Sequence, residues 1–561
     1  MRRKYMKADQ IIKNAKIFTS DKNNPIATAL AVKDGKFVYV GDEAGLSAYE
    51  GDVTDMGGKF IMPGIIDSHV HVTMPIGFEY KDMGSFIECD SKKEALDYIA
   101  DTIRNNPGVK HHNFILERVF LHGEDITKEE LDAICPDGEI MILEGEAHSV
   151  WVNSNLLARH CITDDTPDPV PGLSYYVRKD GHVTGNIFEA AAETRFLLDG
   201  AENLTDEQID AALARWIDFS VNAGVIGVFD AGIPECNDIH ERVYTRLHDM
   251  DVHGKLPVYV DGCYVITQPR QVQEALEELK RFRREYSTEH LKVHTLKIFM
   301  DGTLKIETAA LVTPYEDTKA MGTAAFNKEQ IAELLIQLNE AELDLHLHTV
   351  GEAASRNVLD GVELARKELG DKYRVKVTCA HLEIQDDADL ERFAKLGVNA
   401  NYTPWWHAGN MGGNPYETWC ALLGEKRAAS MYRCKSLWDS GANVTWSCDD
   451  IHYGDFENWS PYLSMEVGMT RRITGKTRTS EINRTIAAYP PVSEQMSIEE
   501  MILGYTINGA KQLGIEDCKG SIESGKEADF LVFDNDLLMA EQEGFSQNMP
   551  KDVYISGKKM N

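Results

Sequence analysis

Pro63-Gly64-Ile65-Ile66-Asp67-Ser68-His69-Val70-His71 is the stretch on which the fold turns. A Pro-Gly turn feeds a short apolar run that ends in two histidines. Side chains alternate along a strand, so Asp67, His69 and His71 share one face, with Ile66, Ser68 and Val70 on the other. Two imidazoles projecting together from a strand end can chelate one metal ion. With 18 histidines in 561 residues, some His-x-His arises by chance about half the time. The motif therefore acquires meaning only from what the rest of the chain supplies.

Working outward, short apolar runs occur at 61–66, 224–229, 257–262, 294–300, 343–348, 374–379, 397–402 and 442–447. Amphipathic helical patterns, such as Lys328–Glu340, Glu352–Leu369 and Asp387–Leu396, separate most of them. Parallel strands need such crossovers, and eight units without a Gly-rich dinucleotide fingerprint predict an α/β fold, a closed (β/α)8 TIM-like barrel rather than an open doubly wound sheet. About 150 residues separate the first run from the second, where a βα connection usually needs a few. A helical pattern (Ser91–Arg104), strand-like runs (Phe114–Leu121, Glu139–Glu144) and a hairpin around Asp180-Gly181 (Ser174–Lys179 with His182–Ile187) predict an inserted α+β lobe over the barrel mouth. At the chain's start, Gln10–Phe18, Thr28–Val32 and Lys36–Val40 read as strands, with Asp34-Gly35 as a hairpin turn. Near its end, 528–533 and 553–556 do the same. Neither end has enough strands to bury a core alone, so one small β-sandwich made from both is expected. The predicted organisation is 1–62 plus 506–561 as the composite β-sandwich domain, 63–80 plus 220–505 as the metal-binding barrel, and 81–219 as the inserted lobe.

Composition narrows the class. A hydrophobic content of 43% with 27% charged residues belongs to a globular protein. Lys and Arg number 58 against 91 Asp and Glu, a formal charge of −33, which repels polyphosphates and argues against nucleic-acid binding. No apolar run has membrane-spanning length, and Met1-Arg2-Arg3-Lys4-Tyr5-Met6-Lys7 leads into no signal-peptide core, so a cytoplasmic protein without a membrane partner is expected. Ten scattered cysteines with no Cys-x-x-Cys predict reduced thiols. A homo-oligomer stays open.

Barrel enzymes carry their chemistry at the carboxyl ends of the strands. The first strand ends in His69 and His71. The fourth carries Lys297 amid apolar residues, the fifth ends in His348, the sixth in His381, and the eighth in Asp449. Neutral imidazole and carboxylate suit Zn²⁺, with Mn²⁺, Fe²⁺ or Co²⁺ as substitutes, and one ion or two are compatible with the set. A protonated lysine has no lone pair to offer. A buried one shifts towards neutrality, and a neutral amine can react with CO₂ to form a carbamate, an anionic oxygen ligand able to bridge two metals. Asp449 can bind metal and also take the proton of a metal-activated water and return it to a leaving amine.

These residues sit in a longer series of motifs. Asp67-Ser68-His69-Val70-His71 after Pro63-Gly64 resembles the first-strand signature of the amidohydrolase superfamily, whose members also wrap a split β domain around a barrel. Ala147–Ser154, Thr184-Gly185-Asn186-Ile187-Phe188-Glu189, Lys297 through Asp301-Gly302, His348-Thr349-Val350-Gly351-Glu352, His381-Leu382-Glu383 and Ser447-Cys448-Asp449 resemble its YtcJ-like branch, which includes N-substituted formamide deformylases. Gly520 through Asp529 resembles the superfamily's closing motif. The resemblance implies His69, His71, carbamylated Lys297, His348, His381 and Asp449 as metal ligands, with Asp449 also catalytic. It further implies hydrolysis of an amide or related C–N bond in a small-molecule substrate. The chain departs from the branch's Gly-Asp at Gly351-Glu352 and from its Gly-Ser-Asp at Ser447-Cys448-Asp449. His346, on the same strand face as His348 and one layer deeper, is expected to pack or to support a ligand.

For substrate contact, the candidates are Trp405 and Trp406 after the seventh strand, Phe78 and Tyr80 after the first, and His148 from the lobe. Two other readings compete. A one-metal deaminase on the same barrel would use a Glu as proton shuttle, and Glu352 is the nearest. A non-catalytic sensor could keep the fold, although it would have no need of all six ligands.

Overall fold

The computed structural model describes residues 5–73, 86–89, 91–118, 125–200, 203–408, 416–449, 460–472 and 488–560. Eight parallel strands form its central sheet: β1 (Ile65–Val70), β2 (Val225–Asp230), β3 (Tyr259–Ile266), β4 (Leu291–Phe299), β5 (Asp344–Thr349), β6 (Val377–His381), β7 (Val398–Tyr402) and β8 (Val444–Trp446). They are hydrogen-bonded in sequence order. Residues of β1, β2, β6, β7 and β8 are buried without exception, as a sheet with helices outside and side chains inside requires. Where β8 returns to β1, Asp449 N–H donates to His69 O (3.1 Å) and Cys448 N–H to Asp67 Oδ1 (3.1 Å). The barrel is thus nearly closed, and Asp67 spends its carboxylate on the seam; burial lifts that group to about 7.

The first apolar run divides. Phe60–Pro63 pairs antiparallel with Phe530–Phe533, whereas Ile65–Val70 enters the barrel. Gly64 is the pivot: a Cβ there would stand 2.5 Å from Ile226 Cγ1 of the neighbouring strand. The expected strand Gln10–Phe18 likewise breaks into Met6–Lys13 and Lys16–Phe18 at Asn14, whose φ of 53° turns the chain from one sheet to the other. Both ends of the chain meet in a six-stranded sheet ordered Lys558–Lys559, Asp552–Ile555, Phe530–Phe533, Phe60–Pro63, Lys16–Phe18, Ile26–Ala27. Against it lies a four-stranded sheet, and Ile12, Leu30, Phe37, Ile61, Phe530 and Val532 fill one core. Asp34 and Gly35 (φ 50° and 77°) make the tight hairpin turn between Ala29–Lys33 and Lys36–Gly41.

The segment between β1 and β2 builds its own six-stranded sheet, with Glu139–Glu144 parallel to His111–Arg118 and antiparallel to Ser149–Val152. The hairpin Tyr175–Lys179/His182–Phe188 forms its edge. Among the described residues no helix is long and apolar enough to cross a membrane.

At the start of β4, His294 lies 3.2 Å from Asp261 and 3.4 Å from Asp344. Burial by itself would lower its pKa, and Asp261 with Asp344 lifts it instead to about 10, from an ordinary 6.5. A raised folded-state pKa stabilises fully below the unfolded value and is lost as pH climbs through the folded one. The stability advantage of the wild type over His294→Gln is therefore expected to be greatest near pH 6 and to shrink steadily towards pH 10. Urea midpoints of both proteins at several pH values read it directly, and a constant difference would contradict it.

Candidate metal centre

All six expected ligands stand at the carboxyl end of the barrel and line one cavity. His69 Nε2 and His71 Nε2 lie 3.3 and 3.2 Å from Asp449 Oδ1, and His381 Nδ1 lies 3.5 Å from Asp449 Oδ2. Lys297 Nζ is 3.4 Å from His69 Nε2. The His348 ring packs 4.4 Å from that of His381. One donor atom from each of His69, His71 and Asp449 lies within 4.8 Å of the others. Asp449 Oδ1 and His381 Nδ1 are buried without any hydrogen-bond partner. Buried polar atoms are normally satisfied, so a converging set of lone pairs with orphaned members fits a divalent cation.

Neighbours aim the lone pairs. His71 Nδ1 contacts Gly232 O (2.6 Å), so it carries the proton and Nε2 is free. His346 Nε2 meets His69 Nδ1 at 2.9 Å while its ring stacks on Phe229 at 4.2 Å, the supporting position expected for it. Burial holds His69, His348 and His381 well below the ordinary imidazole range, hence neutral and able to ligate. Lys297 is fully buried, and burial pulls it to about 8. His381 (φ 78°) and Asp449 (φ 46°) adopt left-handed backbone, which costs a non-glycine residue about 1 kcal/mol or more and concentrates at functional sites.

Of the expected substrate contacts, Trp406 lines the cavity and stacks on His381 at 5.1 Å. Trp405 turns the other way from the short helical turn Pro404–Ala408 into the core, and it does not line the cavity. Phe78 and Tyr80 lie outside the described residues. Glu352 does not line the cavity either; its Oε1 accepts the Val312 N–H at 3.2 Å.

His148 reaches the cavity from the lobe, its ring 5.2 Å from that of His348. Its Nδ1 meets Glu189 Oε2 at 2.7 Å. Burial alone would lower His148, and Glu189 raises it to about 9. The other oxygen of Glu189 accepts from Thr308 Oγ1 (2.5 Å) and Thr303 N–H (3.2 Å), so one carboxylate ties the lobe to the loop after β4. In the sequence Glu189 only closes the motif Thr184–Glu189; its positive φ (69°) and its partners 114 and 119 positions away are tertiary facts. A Cβ on Gly302 would stand 2.0 Å from Glu189 Oε1 and 2.2 Å from Thr308 Oγ1. Gly302→Ala is expected to cost about 1–3 kcal/mol in urea unfolding and to slow turnover by shifting His148; unchanged unfolding would show that the bridge gives way freely.

The profile described as "Amidohydrolase family" matches residues 52–559. The N-substituted formamide deformylase of Arthrobacter pascens is 26% identical over 98% of this chain and 97% of its own. YtcJ of Bacillus subtilis (strain 168) is 24% identical over 97% of both chains. An uncharacterized metal-dependent hydrolase from Pyrococcus horikoshii OT3 superposes with a TM-score of 0.66 at 22% identity, over 95% of this chain and 99% of its own, a likeness of fold.

Proposed function

Because this chain belongs to the amidohydrolase family, we propose that it is a metal-dependent hydrolase that cleaves an amide or related C–N bond of a small molecule. The observation that carries this is the convergence of His69 Nε2, His71 Nε2 and Asp449 Oδ1 at one cavity, with Asp449 Oδ1 unpartnered. His69, His71 and Asp449 would hold a divalent ion, Zn²⁺ being the best match to the donors, and His348, His381 and carbamylated Lys297 would complete its shell or hold a second ion. When bound, such an ion polarises the scissile carbonyl and makes water acidic enough to attack at neutral pH.

The chain's own side chains do the rest. Asp449 takes the proton of the attacking water and returns it to the departing nitrogen, for which its position among three imidazoles suits it. His148, held protonated by Glu189, offers an N–H beside His348 to the substrate's oxygen. Trp406 gives the bound group an aromatic wall.

A panel of N-formyl, N-acyl, carbamate and cyclic-amide substrates, assayed on metal-replete protein, tests the proposal; the relative named an N-substituted formamide deformylase puts N-formyl amides first. Dialysis against a chelator is expected to abolish turnover, and added Zn²⁺ to restore it. Full activity in thoroughly metal-free protein, or ammonia release from amino-heterocycles with no amide cleaved, would overturn it.

A further inference from the structure

In the turn that follows β2, Ala231-Gly232-Ile233, every backbone N–H is bonded. Ala231 N–H donates to Val70 O (2.6 Å), Gly232 N–H to Asp230 Oδ1 (3.2 Å) and Ile233 N–H to His240 Nε2 (2.8 Å). A turn whose donors are all spent has little freedom to shift. Gly232 O is thereby held 2.6 Å from His71 Nδ1. Only glycine fits there: its φ of 62° is left-handed, and a Cβ would stand 2.5 Å from Val265 Cγ2, 2.8 Å from Cys263 Sγ and 2.9 Å from His240 Cε1.

Asp230 joins this turn to the strand that carries His69 and His71. The same Oδ1 that accepts Gly232 N–H accepts Val72 N–H at 3.0 Å. Residues 70, 71 and 72 are therefore each bonded to residues 230–232: Val70 through its carbonyl, His71 through its ring, Val72 through its N–H. The β1–β2 ladder ends at the pair Val70/Asp230, and the carboxyl group takes over where it stops. Its other oxygen accepts the Tyr244 O–H at 3.0 Å, and that hydroxyl accepts Cys263 N–H at 2.9 Å, so the side chain is fixed from the helix Asn237–Val252 and from β3. Asp230 is fully buried and does not line the cavity. Ending the sheet would need only the bond to Gly232. The bond to Val72 places the residue after His71 in the same frame.

We propose that Asp230 is a positioning residue of the metal centre: by holding Gly232 and Val72 on one oxygen, it keeps Gly232 O against His71 Nδ1 and so aims His71 Nε2 at the space shared with His69 and Asp449. This role rests on His71 as a metal ligand, as the function proposed above has it, and is independent of which bond is cleaved.

Cobalt binding to the metal-free full chain at pH 7, measured by competition with a chelating dye and by the visible absorption of the bound ion, reads the role without an assay of turnover. Asp230→Ala is expected to weaken cobalt binding about tenfold or more, as loss of a ligand's support does, and to shift the absorption bands. Asp230→Asn keeps an oxygen for both N–H groups, and the Tyr244 hydroxyl can turn to Cys263 O, already 3.2 Å away. It is expected to bind within about threefold of the wild type with unshifted bands. His71→Ala is expected to lose at least as much affinity as Asp230→Ala, and adding Asp230→Ala to it to cost less than about twofold more, since a residue that acts through another is not additive with it. Gly232→Ala displaces the same carbonyl and stands in, with the same expected loss, if Asp230→Ala does not fold. Leu247→Ala, which hollows the core beneath the same helix, is expected to lower stability and leave the bands unchanged. Wild-type binding by folded Asp230→Ala, fully additive losses in the double variant, or an equal band shift in Leu247→Ala would overturn the positioning role. Wild-type cobalt binding by His71→Ala would overturn it together with the metal-centre reading. The expected cobalt pattern in a protein that cleaves no amide would uphold the role and overturn the amide reading.

Discussion

Asp449→Asn is expected to fold normally and to lose about 10³-fold or more in kcat, the range a positioned proton-transfer group supplies. Asp449 is the side chain on which the candidate centre converges: one oxygen faces His69 and His71, the other His381. The amide has nearly the same shape, so the backbone bond from residue 449 N–H to His69 O persists and the seam between β8 and β1 stays closed. It has no negative charge for a cation and no basic oxygen for a proton. Its NH₂ also presents donors where the imidazoles present lone pairs. Metal analysis beside the kinetics separates the two losses: reduced content marks a ligand, full content with lost kcat marks proton transfer. Turnover within tenfold of wild type at full metal content would remove Asp449 from the chemistry.

Lys297→Ala carries the second large effect. This lysine is fully buried, 3.4 Å from His69 Nε2, with Phe299 beneath it at 4.9 Å. A buried amine drawn down to about 8 is partly neutral near physiological pH, and a neutral amine is the form that captures CO₂ as a carbamate. If the carbamate is the working group, Lys297→Ala loses about 10²-fold or more of kcat/KM together with part of the bound metal, in line with losses on disturbing a metal's supports. Acetate or propionate should then restore part of the activity, since the vacated space admits a carboxylate of the same charge and shape. Lys297→Met fills that space and should show no rescue. Loss without rescue would assign the amine itself, and wild-type behaviour of both variants would remove Lys297 from the site.

Much of the barrel was legible because periodicity is local. The helix Glu352–Leu369 and the strand Glu139–Glu144 have the bounds their patterns predict, the helix from an apolar face at helical spacing and the strand from an unbroken apolar run. Patterns failed where the chain passes between sheets. The run 61–66 is apolar throughout, and hydrophobicity alone does not reveal that Gly64 divides it between two sheets. Trp405 and Trp406 are equal in sequence, and a single turn of backbone sends one to the core and the other to the cavity.

The candidate ligands could be found in the sequence itself, because strand ends can be counted and each delivers its residue to the same rim of a parallel barrel. His69, His71, Lys297, His348, His381 and Asp449 could be named that way. What tertiary structure alone decided is how those groups are held and what else faces them. Gly232 O sets the tautomer of His71, His346 supports His69, and Glu189 joins lobe to barrel. Donor type is a property of a residue. Orientation, burial and unmet bonding are properties of its surroundings, and those come from segments more than a hundred positions away.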